Sequence, residues 1–371
     1  MSELLPITLT SIILAALSHF LSVRTPDLRG YVRKERLFFC ILVVVMVLFV
    51  GLRTHYNDTR TYVHGYNLIK GELEELQRYS QELGDNPGFN LVNWQLKRWG
   101  FSDQSFLMFY AIITVTIYLW FIRKYSDHLL LSVFLFLTLG AYTFALAAIK
   151  QCVAVAFALV GVDQYLKRHH VRFVFWVLLG SIFHPYALMY LAVPLVTFRP
   201  WSWKTWVMLV GFIIAGILLQ PMMGTVIDIT TLLGEEYTTE SFSGSGVNPF
   251  RLAVVAVPMV LSFVSKRVIA WENDRTHNLM LNLTMVNAAI MYVALFGTAN
   301  YFARLANYFL IFQCITIPWL FTQFDRLSQK LLTGGAVVCY SAYFYYANAI
   351  NQHFDAEYAA MTLGQYLASL F

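Results

Sequence analysis

Five basic residues lie where a charge is costly, and they suggest what the protein binds. Arg53, Arg60, Lys150, Arg251 and Arg304 each stand at or near the end of a long apolar stretch. The charge pattern of the loops puts these ends on the membrane side opposite to most of the other basic residues. Holding a cation there costs free energy, and the usual explanation is that it binds an anionic ligand. We therefore predict that these side chains bind a phosphate-bearing lipid, since arginine contacts phosphate oxygens in bidentate fashion.

The densest group of polar side chains directly follows the second apolar stretch. Besides Arg53 and Arg60 it contains His55, Asp58 and Tyr62. The alternative is that these are interfacial residues whose long side chains extend to water. So many ionisable and histidine side chains in so few positions exceed what anchoring requires. We therefore predict that His55 and Tyr62 belong to the binding site together with the two arginines.

Two side chains are candidates for a general base, namely His184 and Asp58. His184 directly precedes Pro185 inside an apolar stretch, so it coincides with a predicted helix break. A broken helix presents unpaired backbone groups to a central site, and histidine takes up a proton near neutral pH. The alternative for His184 is a structural residue of an apolar helix. Which of the two side chains acts as the base stays open.

A further candidate site lies at the start of a later apolar stretch. Arg304 stands about one turn into it, and Tyr301 lies on roughly the same face of the predicted helix. Few carboxylates are available to pair with this arginine, so we predict that it contacts a ligand. Lys150 has the alternative reading of a flanking lysine that reaches water, and Arg251 lies at the edge of a loop.

Composition identifies the class of protein. Of the 371 residues, 58% are hydrophobic and 13% are charged, whereas a soluble domain carries about 25% charged residues. The sequence contains no P-loop, no GxSxG elbow, no HExxH and no DxD-like pair. We therefore expect an enzyme that uses no cofactor and no metal. The net charge of +5 is assigned to basic loops at the membrane and gives no indication of nucleic-acid binding.

The apolar stretches predict an all-α polytopic membrane protein with about ten or eleven transmembrane helices. The predicted spans are Leu4–Val23, Leu37–Leu52, Ser105–Ile122, Leu129–Ala147, Cys152–Leu166, Phe173–Phe198, Trp206–Leu219, Leu252–Val264, Leu279–Phe296, Tyr301–Phe321 and Leu331–Ile350. The whole chain, residues 1–371, forms one integral membrane domain in this interpretation.

Orientation follows from the basic loops. The loop after the first span is rich in Arg and Lys, which predicts that it is cytoplasmic. The later basic loops keep this parity only if Phe173–Phe198 enters and returns as two half-helices broken at His184 and Pro185. A single span at this position is the alternative. The termini then face outward, as do the loops 55–104 and 220–249, which would cap the outward face.

The outward loops carry their own predicted elements. An amphipathic helix is predicted over Ile69–Leu83, and a second helix lying on the membrane interface over Phe89–Trp99. The loop 220–249 is acidic and rich in Gly and Ser, which suggests a flap over the outward face. The tail after Ile350 is predicted to form another surface helix.

Four short motifs follow one another along the chain. They are Gly51–Arg53 with Asn57-Asp58-Thr59 and Tyr62, then Asn86-Pro87-Gly88-Phe89-Asn90, then Lys150-Gln151, and finally Phe183-His184. In this order they resemble the EpsG family, the Wzy-like polymerases of bacterial exopolysaccharide and capsule synthesis. The later half of the chain is similar in its span pattern and in Arg304. Lys150 stands where the family usually has arginine, and Pro185 where it has a small polar residue.

The resemblance implies a membrane glycosyltransferase that joins undecaprenyl-diphosphate-linked oligosaccharide repeat units at the outer face of the bacterial cytoplasmic membrane. Its partners would be that lipid-linked oligosaccharide, the membrane lipids, and the chain-length regulator and flippase of the same pathway. The cations would stabilise the diphosphate as it leaves. Sugar composition, linkage, stereochemistry and oligomeric state are not expected to be readable from the sequence.

Other functions use similar residues. A flippase or transporter for the same lipids would need cations along a path reaching both faces, whereas these cations are predicted to cluster outward. An O-antigen-ligase-like enzyme, or a glycosyltransferase that uses a polyprenyl-phosphate sugar, would differ in its acceptor or donor. A membrane acyltransferase is a further possibility, for which His184 is the residue to compare.

Overall fold

A computed structural model of the protein describes residues 1–24, 32–70, 86–232, 246–297 and 299–370. The protein is 79% helical with almost no sheet, which confirms the prediction of an all-α polytopic membrane protein. Most of the amphipathic helix predicted at Ile69–Leu83 lies outside the described residues. The same holds for the acidic, Gly/Ser-rich part of the loop 220–249.

The described helices follow the predicted spans closely. In chain order they are α1 Leu4–Phe20, α2 Leu37–Gly51, α3 Thr59–Leu68, α4 Pro87–Arg98, α5 Asp103–Tyr125, α6 Leu129–Thr138, α7 Ala141–Ala147, α8 Ile149–Leu166, α9 His170–Ser181, a 3₁₀ helix Pro185–Val196, α10 Trp203–Leu218, α11 Met223–Leu232, α12 Pro249–Val264, α13 Lys266–Glu272, α14 Arg275–Val293, α15 Ala299–Asn307, α16 Leu310–Thr322, α17 Arg326–Tyr345, a π-helical turn Tyr346–Asn351, α18 Phe354–Glu357 and α19 Leu363–Ala368. Two short antiparallel strand pairs complete the fold, β1 Val23–Arg24 with β2 Val32–Arg33, and β3 Arg53–His55 with β4 Ala359–Ala360.

Several predicted spans are bent helix pairs. In the described residues, α5 and α8 alone are long and apolar enough to cross a membrane, and up to six spans result if each bent pair counts as one. The pairs bend by 48° between α6 and α7, 107° between α10 and α11, 72° between α12 and α13, and 52° between α15 and α16. Gly140, with φ of +89°, supplies the first bend, since glycine adopts the left-handed conformation without a steric penalty. The predicted spans Leu129–Ala147 and Tyr301–Phe321 are therefore bent and not continuous helices.

The core lies around α5, α8, α14 and α16, in each of which most residues are buried. Polar side chains connect these helices. Thr284 donates to Thr316 at 3.0 Å, and Gln313 donates to the Val255 carbonyl at 3.0 Å. Hydrogen bonds of this kind hold membrane helices together, because apolar contact with a neighbour gains little over contact with lipid.

The predicted helix break at His184 is confirmed. Helix α9 ends at Ser181, His184 has extended backbone angles (φ −158°, ψ +124°), and the 3₁₀ helix begins at Pro185. Proline removes a backbone donor and disfavours helix in the residue before it. The break therefore follows directly from the local sequence.

Contacts at the two ends of this segment show that the chain turns back on itself. Phe173, near the start of α9, packs at 5.3 Å from Tyr165, and Arg275 at the start of α14 lies over that same ring. Arg199, just beyond the 3₁₀ helix, donates to the carbonyl of Ala270 in α13. Both ends of the segment therefore lie at the α13–α14 end of the bundle, whereas the break lies against the start of α8. This agrees with a half-helix pair that enters and returns.

Helix α4, which covers most of the interfacial helix predicted over Phe89–Trp99, packs one face against the protein, while Leu91 and the following Trp99 are 51% and 66% exposed. Its apolar residues Phe89 and Trp94 are 5% and 7% exposed. The backbone N–H of Gly88 donates to the Ile182 carbonyl at 2.8 Å, and the Tyr110 hydroxyl donates to Asn93 at 2.8 Å. The helix thus packs against the protein beside the break at His184 in the half-helix pair.

The chain after α17 does not form the simple surface helix that was predicted. Strand β4 pairs with β3, so that Arg53 lies opposite Ala360. The Tyr358 hydroxyl donates to the Phe49 carbonyl at 2.9 Å, and the N-terminal ammonium group pairs with Asp355. The C-terminal segment is thereby fixed across the end of α2, where it meets the residues predicted to bind ligand.

Candidate functional site

A polar cleft opens at the end of the bundle where α3, α7, α12, α15 and the C-terminal segment meet. It has a volume of about 230 Å³ and holds three of the predicted charged residues, Asp58, Arg251 and Arg304. The uncharged polar side chains lining it are Asn57, Asn248, Asn307, Asn348, Asn351, Gln352, Thr143, Tyr56, Tyr343 and Tyr346. A cleft this polar in an otherwise apolar membrane protein is the candidate site.

Arg304 and Asp58 form an ion pair in the cleft. Their closest N···O distance is 3.5 Å, and the two side chains are 44% and 35% exposed. Asp58 is the residue before the first turn of α3, and Arg304 lies in the last turn of α15, just before the bend into α16. Both groups are therefore held on element ends that face the cleft, and both remain open to a ligand.

Arg251 is the second cleft arginine. Asn248 caps α12 by accepting from the Phe250 N–H at 2.9 Å, which sets Arg251 in the first helical turn. One guanidinium nitrogen donates to the Asn307 amide oxygen at 3.2 Å. A guanidinium has five N–H donors, so Arg251 keeps most of its donors for an oxyanion.

His184 lies behind the cleft. It is 5% exposed, and its two ring nitrogens contact the Gln151 amide at 3.2 Å and the Tyr308 hydroxyl at 2.8 Å. Lys150 and Arg304 both lie within electrostatic range of the ring. The structure thus brings His184, Lys150 and Arg304 together from three distant parts of the chain, although His184 does not line the cleft.

Aromatic rings connect α4 to this group. Lys150 lies over the Phe89 ring at 5.2 Å, and Tyr62 packs edge-on against the same ring at 5.9 Å. Burial raises the pKa of the Tyr62 hydroxyl above its usual range, with the Asp58 carboxylate acting in the same direction. The hydroxyl therefore stays protonated at neutral pH and is available as a donor. Tyr301, also predicted for the site, is 9% exposed and packs edge-on at 5.7 Å from Tyr186.

Arg53 occupies a structural position instead of a place in the cleft. It is 1% exposed, its Nε donates to the Thr59 hydroxyl at 3.1 Å, and Nη1 donates to the Val50 carbonyl. Burial lowers the pKa of Arg53 to about 10, so it remains protonated at neutral pH. Its donors join the end of α2 to the start of α3, next to Asp58, and Arg53 is not among the residues that line the cleft. Its contact with ligand stays a prediction.

Two other predicted site residues also lie outside the cleft lining. Arg60 is exposed on α3, one residue beyond Thr59 and away from the lining residues. His55 faces Glu357 of the C-terminal segment, with an N···O distance of 3.7 Å. The bend at the start of α3 explains the difference, because Asn57 takes a left-handed conformation with φ of +44° that turns the chain between His55 and Arg60.

Sequence reasoning missed the carboxamide side chains of the cleft. Asn348, Asn351 and Gln352 come from the π-helical turn and the residue after it, and Asn248 comes from the cap of α12. We call these four side chains, with Tyr346, the carboxamide cluster. The density of carboxamides in residues 348–352 was the available signal, but only the long-range fold brings them beside Arg304.

A second cavity, an apolar groove of about 640 Å³, lies against the other face of α15. Phe302 and Leu305 of α15 line this groove, whereas Ala303 and Arg304 line the polar cleft. The remaining wall comes from the 3₁₀ helix, α10, α11 and α14, with Thr225 as the only polar lining residue in the part of the chain that the structure describes. Helix α15 therefore separates a polar site from an apolar one.

The fold and the cleft define a polytopic membrane protein with a cationic site at one end of its helices. Across the described ranges, no three His, Cys, Asp or Glu side chains are grouped as metal ligands would be. The chain belongs to the EpsG family, whose model matches residues 36–360. Membership confirms the resemblance and points to an exopolysaccharide-related polymerase. No curated protein and no solved structure matches the chain.

Proposed function

We propose that the protein polymerises exopolysaccharide or capsule by joining oligosaccharide repeat units carried on undecaprenyl diphosphate. The single observation that carries this proposal is the pair of cleft arginines, Arg251 and Arg304, beside a partly exposed carboxylate in a member of the EpsG family. The reaction would take place at the outer face of the bacterial cytoplasmic membrane.

The arginines suit the leaving group of such a reaction. As the bond between the anomeric carbon and the diphosphate oxygen breaks, negative charge gathers on that oxygen. Fixed guanidinium groups stabilise this charge more in the transition state than in the ground state. Among the described residues, Arg251 uses one donor on Asn307 and Arg304 is engaged by its ion pair with Asp58, so both are available to the diphosphate.

Asp58 is the better placed of the two candidate bases. It lines the cleft, whereas His184 is buried behind it. When a diphosphate takes over Arg304, Asp58 is released from its ion pair and its carboxylate oxygens can accept a hydrogen bond from the acceptor hydroxyl. In the proposed step, the acceptor hydroxyl oxygen bonds to the anomeric carbon, its proton passes to Asp58, and the diphosphate departs with the electron pair of the broken bond.

His184 is proposed as a positioning residue. It contacts Tyr308, which follows directly on α15, and Gln151 of α8. Through these two contacts it fixes α15, and hence Arg304, relative to the start of α8. Lys150, held over Phe89, would contribute to the positive potential that attracts the diphosphate.

The apolar groove suits the hydrocarbon chain of the same lipid. A diphosphate at Arg304 and a polyprenyl chain beside Phe302 would occupy opposite faces of α15. The flippase and chain-length regulator of the pathway would be the protein partners.

Gene deletion with complementation tests the proposal. The host's surface polysaccharide is sized in the deletion strain and after complementation with wild type, Arg304→Ala, or Arg267→Ala as the matched control on exposed α13. A polymerase is supported if the deletion strain carries only short single repeats, and if wild type and the control restore long chains while Arg304→Ala does not. Loss of all surface glycan on deletion would favour the flippase alternative, and unaltered chain length with Arg304→Ala would contradict the role of the cleft.

A further inference from the structure

The carboxamide cluster has hydrogen-bonding groups that the protein itself does not use. The Asn348 side chain is 2% exposed; its amide donates to the Phe344 carbonyl, but its oxygen Oδ1 is buried with no partner in the described chain. An unpaired buried acceptor costs about 1–3 kcal/mol. Such a group lining a cleft indicates a ligand that donates to it.

Neighbouring members of the cluster leave complementary donors. Tyr346 accepts a hydrogen bond from Asn248 at 3.2 Å, so its own hydroxyl hydrogen remains available. Gln352, which lines the cleft, accepts from the Tyr56 hydroxyl at 3.0 Å through Oε1, and its NH₂ group has no hydrogen-bond partner among the described residues. The exposed Asn351 side chain has no hydrogen-bond partner in the described ranges.

The backbone of this region is also unusual. Residues 346–351 form a π-helical turn, and His353 just beyond it takes a left-handed conformation with φ of +47°. A π-helical turn widens the helix, costs stability and occurs frequently at functional sites. Asn348 and Asn351, three residues apart within this turn, both line the cleft.

The chemistry of the cluster selects one class of ligand. A carboxamide offers both a donor and an acceptor, so it matches hydroxyl and acetamido groups, which also do both. The cluster carries no charge, so a carboxylate or phosphate placed there would lose solvation without gaining a cationic partner. The fit is therefore to an uncharged polyol with donors and acceptors on neighbouring carbons, as on a sugar ring.

We propose that the carboxamide cluster binds the uncharged sugar residue next to the diphosphate, and that it sets which repeat unit the enzyme accepts. This inference rests on the proposed function, since it takes Arg251 and Arg304 as the diphosphate site in the same cleft. The arginines would recognise the lipid carrier common to many pathways, and the cluster would recognise the glycan.

The test compares a sugar-bearing ligand with a sugar-free one. Wild type, Asn351→Leu and Asn351→Gln are purified in nanodiscs. Asn67→Leu is the matched control, because Asn67 is an exposed α3 residue outside the cleft lining. KM is measured with lipid-linked repeat units extracted from the host, and affinity is measured for undecaprenyl diphosphate, which carries no sugar. We expect Asn351→Leu to raise KM about tenfold with unchanged affinity for undecaprenyl diphosphate, whereas Asn351→Gln and the control stay within about threefold of wild type.

The outcomes separate this inference from the proposed function. An unchanged KM for Asn351→Leu, or an equal loss of affinity for both ligands, would overturn the sugar site alone. If wild type neither extends the repeat units nor binds undecaprenyl diphosphate, the proposed function fails. Saturation-transfer NMR with the free oligosaccharide released from the host polysaccharide then decides the sugar site by itself. A signal in wild type that Asn351→Leu loses supports the site, and no signal in wild type contradicts it.

Discussion

Replacing Arg304 by alanine should separate catalysis from stability, because the two effects have very different sizes at this residue. The Arg304–Asp58 pair has an N···O distance of 3.5 Å, with side chains 44% and 35% exposed. Ion pairs as exposed as this one contribute about 0–1 kcal/mol to folding. Arg304→Ala should therefore lower the free energy of unfolding by less than about 1 kcal/mol.

The effect on turnover should be much larger. A hydrogen bond to a charged group is worth about 1.5–3 kcal/mol, and an arginine can form two such bonds with a diphosphate. Loss of even one in the transition state lowers kcat/KM by roughly 10- to 150-fold, at 1.4 kcal/mol for each factor of ten. Arg304→Lys keeps the charge but cannot form the bidentate contact of a guanidinium, so its activity should fall between those of wild type and Arg304→Ala.

The assay follows lipid-linked repeat units and their products in nanodiscs, with thermal unfolding of each variant measured in the same preparation. Arg267→Ala is again the matched control. A catalytic role of Arg304 is contradicted if Arg304→Ala keeps wild-type kcat/KM, or if its lost activity is matched by an equally large loss of stability. Either result would make Arg304 an ordinary interfacial arginine.

Two further predictions concern the base and the packing. Asp58→Asn should lower kcat about 10²- to 10⁴-fold in the same assay, which is the usual contribution of a general base. The control Asp228→Asn, on exposed α11, should keep the wild-type rate. Equal rates for the two variants would contradict the role of Asp58. Gly180→Ala should destabilise the fold by about 1–3 kcal/mol, since its new Cβ would lie 2.8 Å from the Ala154 carbonyl oxygen. The Cβ of the control Gly211→Ala meets nothing within 4 Å, so this variant should unfold at or slightly above the wild-type temperature. A similar loss of stability at both sites would contradict the close packing of α8 and α9.

The elements that sequence predicted well are those specified by local chemistry. Apolar runs marked the spans, and proline marked the break after His184. The closeness of Asp58, Arg251 and Arg304 was also predicted from the sequence, because all three were assigned to span ends on one face of the membrane. A charge at a span end restricts where that end can lie, so such residues carry information about the tertiary fold.

What the sequence could not predict depends on contacts between distant residues. Arg53 has the same residue type and span-end position as Arg304, yet it is buried because Thr59 and the Val50 carbonyl satisfy it and β4 covers it. That strand lies about 300 residues further along the chain, and no sequence pattern near Arg53 indicates that the two segments pair. The same C-terminal segment supplies Asn348 and Asn351, so the neutral half of the cleft was missed for the same reason.

The most direct test of the central claim is a reaction with purified components. Wild-type protein in nanodiscs is incubated with lipid-linked repeat units alone, and both the glycan length and the released undecaprenyl diphosphate are measured. We expect glycans of two or more repeats, with one undecaprenyl diphosphate released for every linkage formed and with both products abolished in Arg251→Ala/Arg304→Ala. Folded wild-type protein that binds the lipid-linked units but forms no linkage and releases no undecaprenyl diphosphate would contradict it.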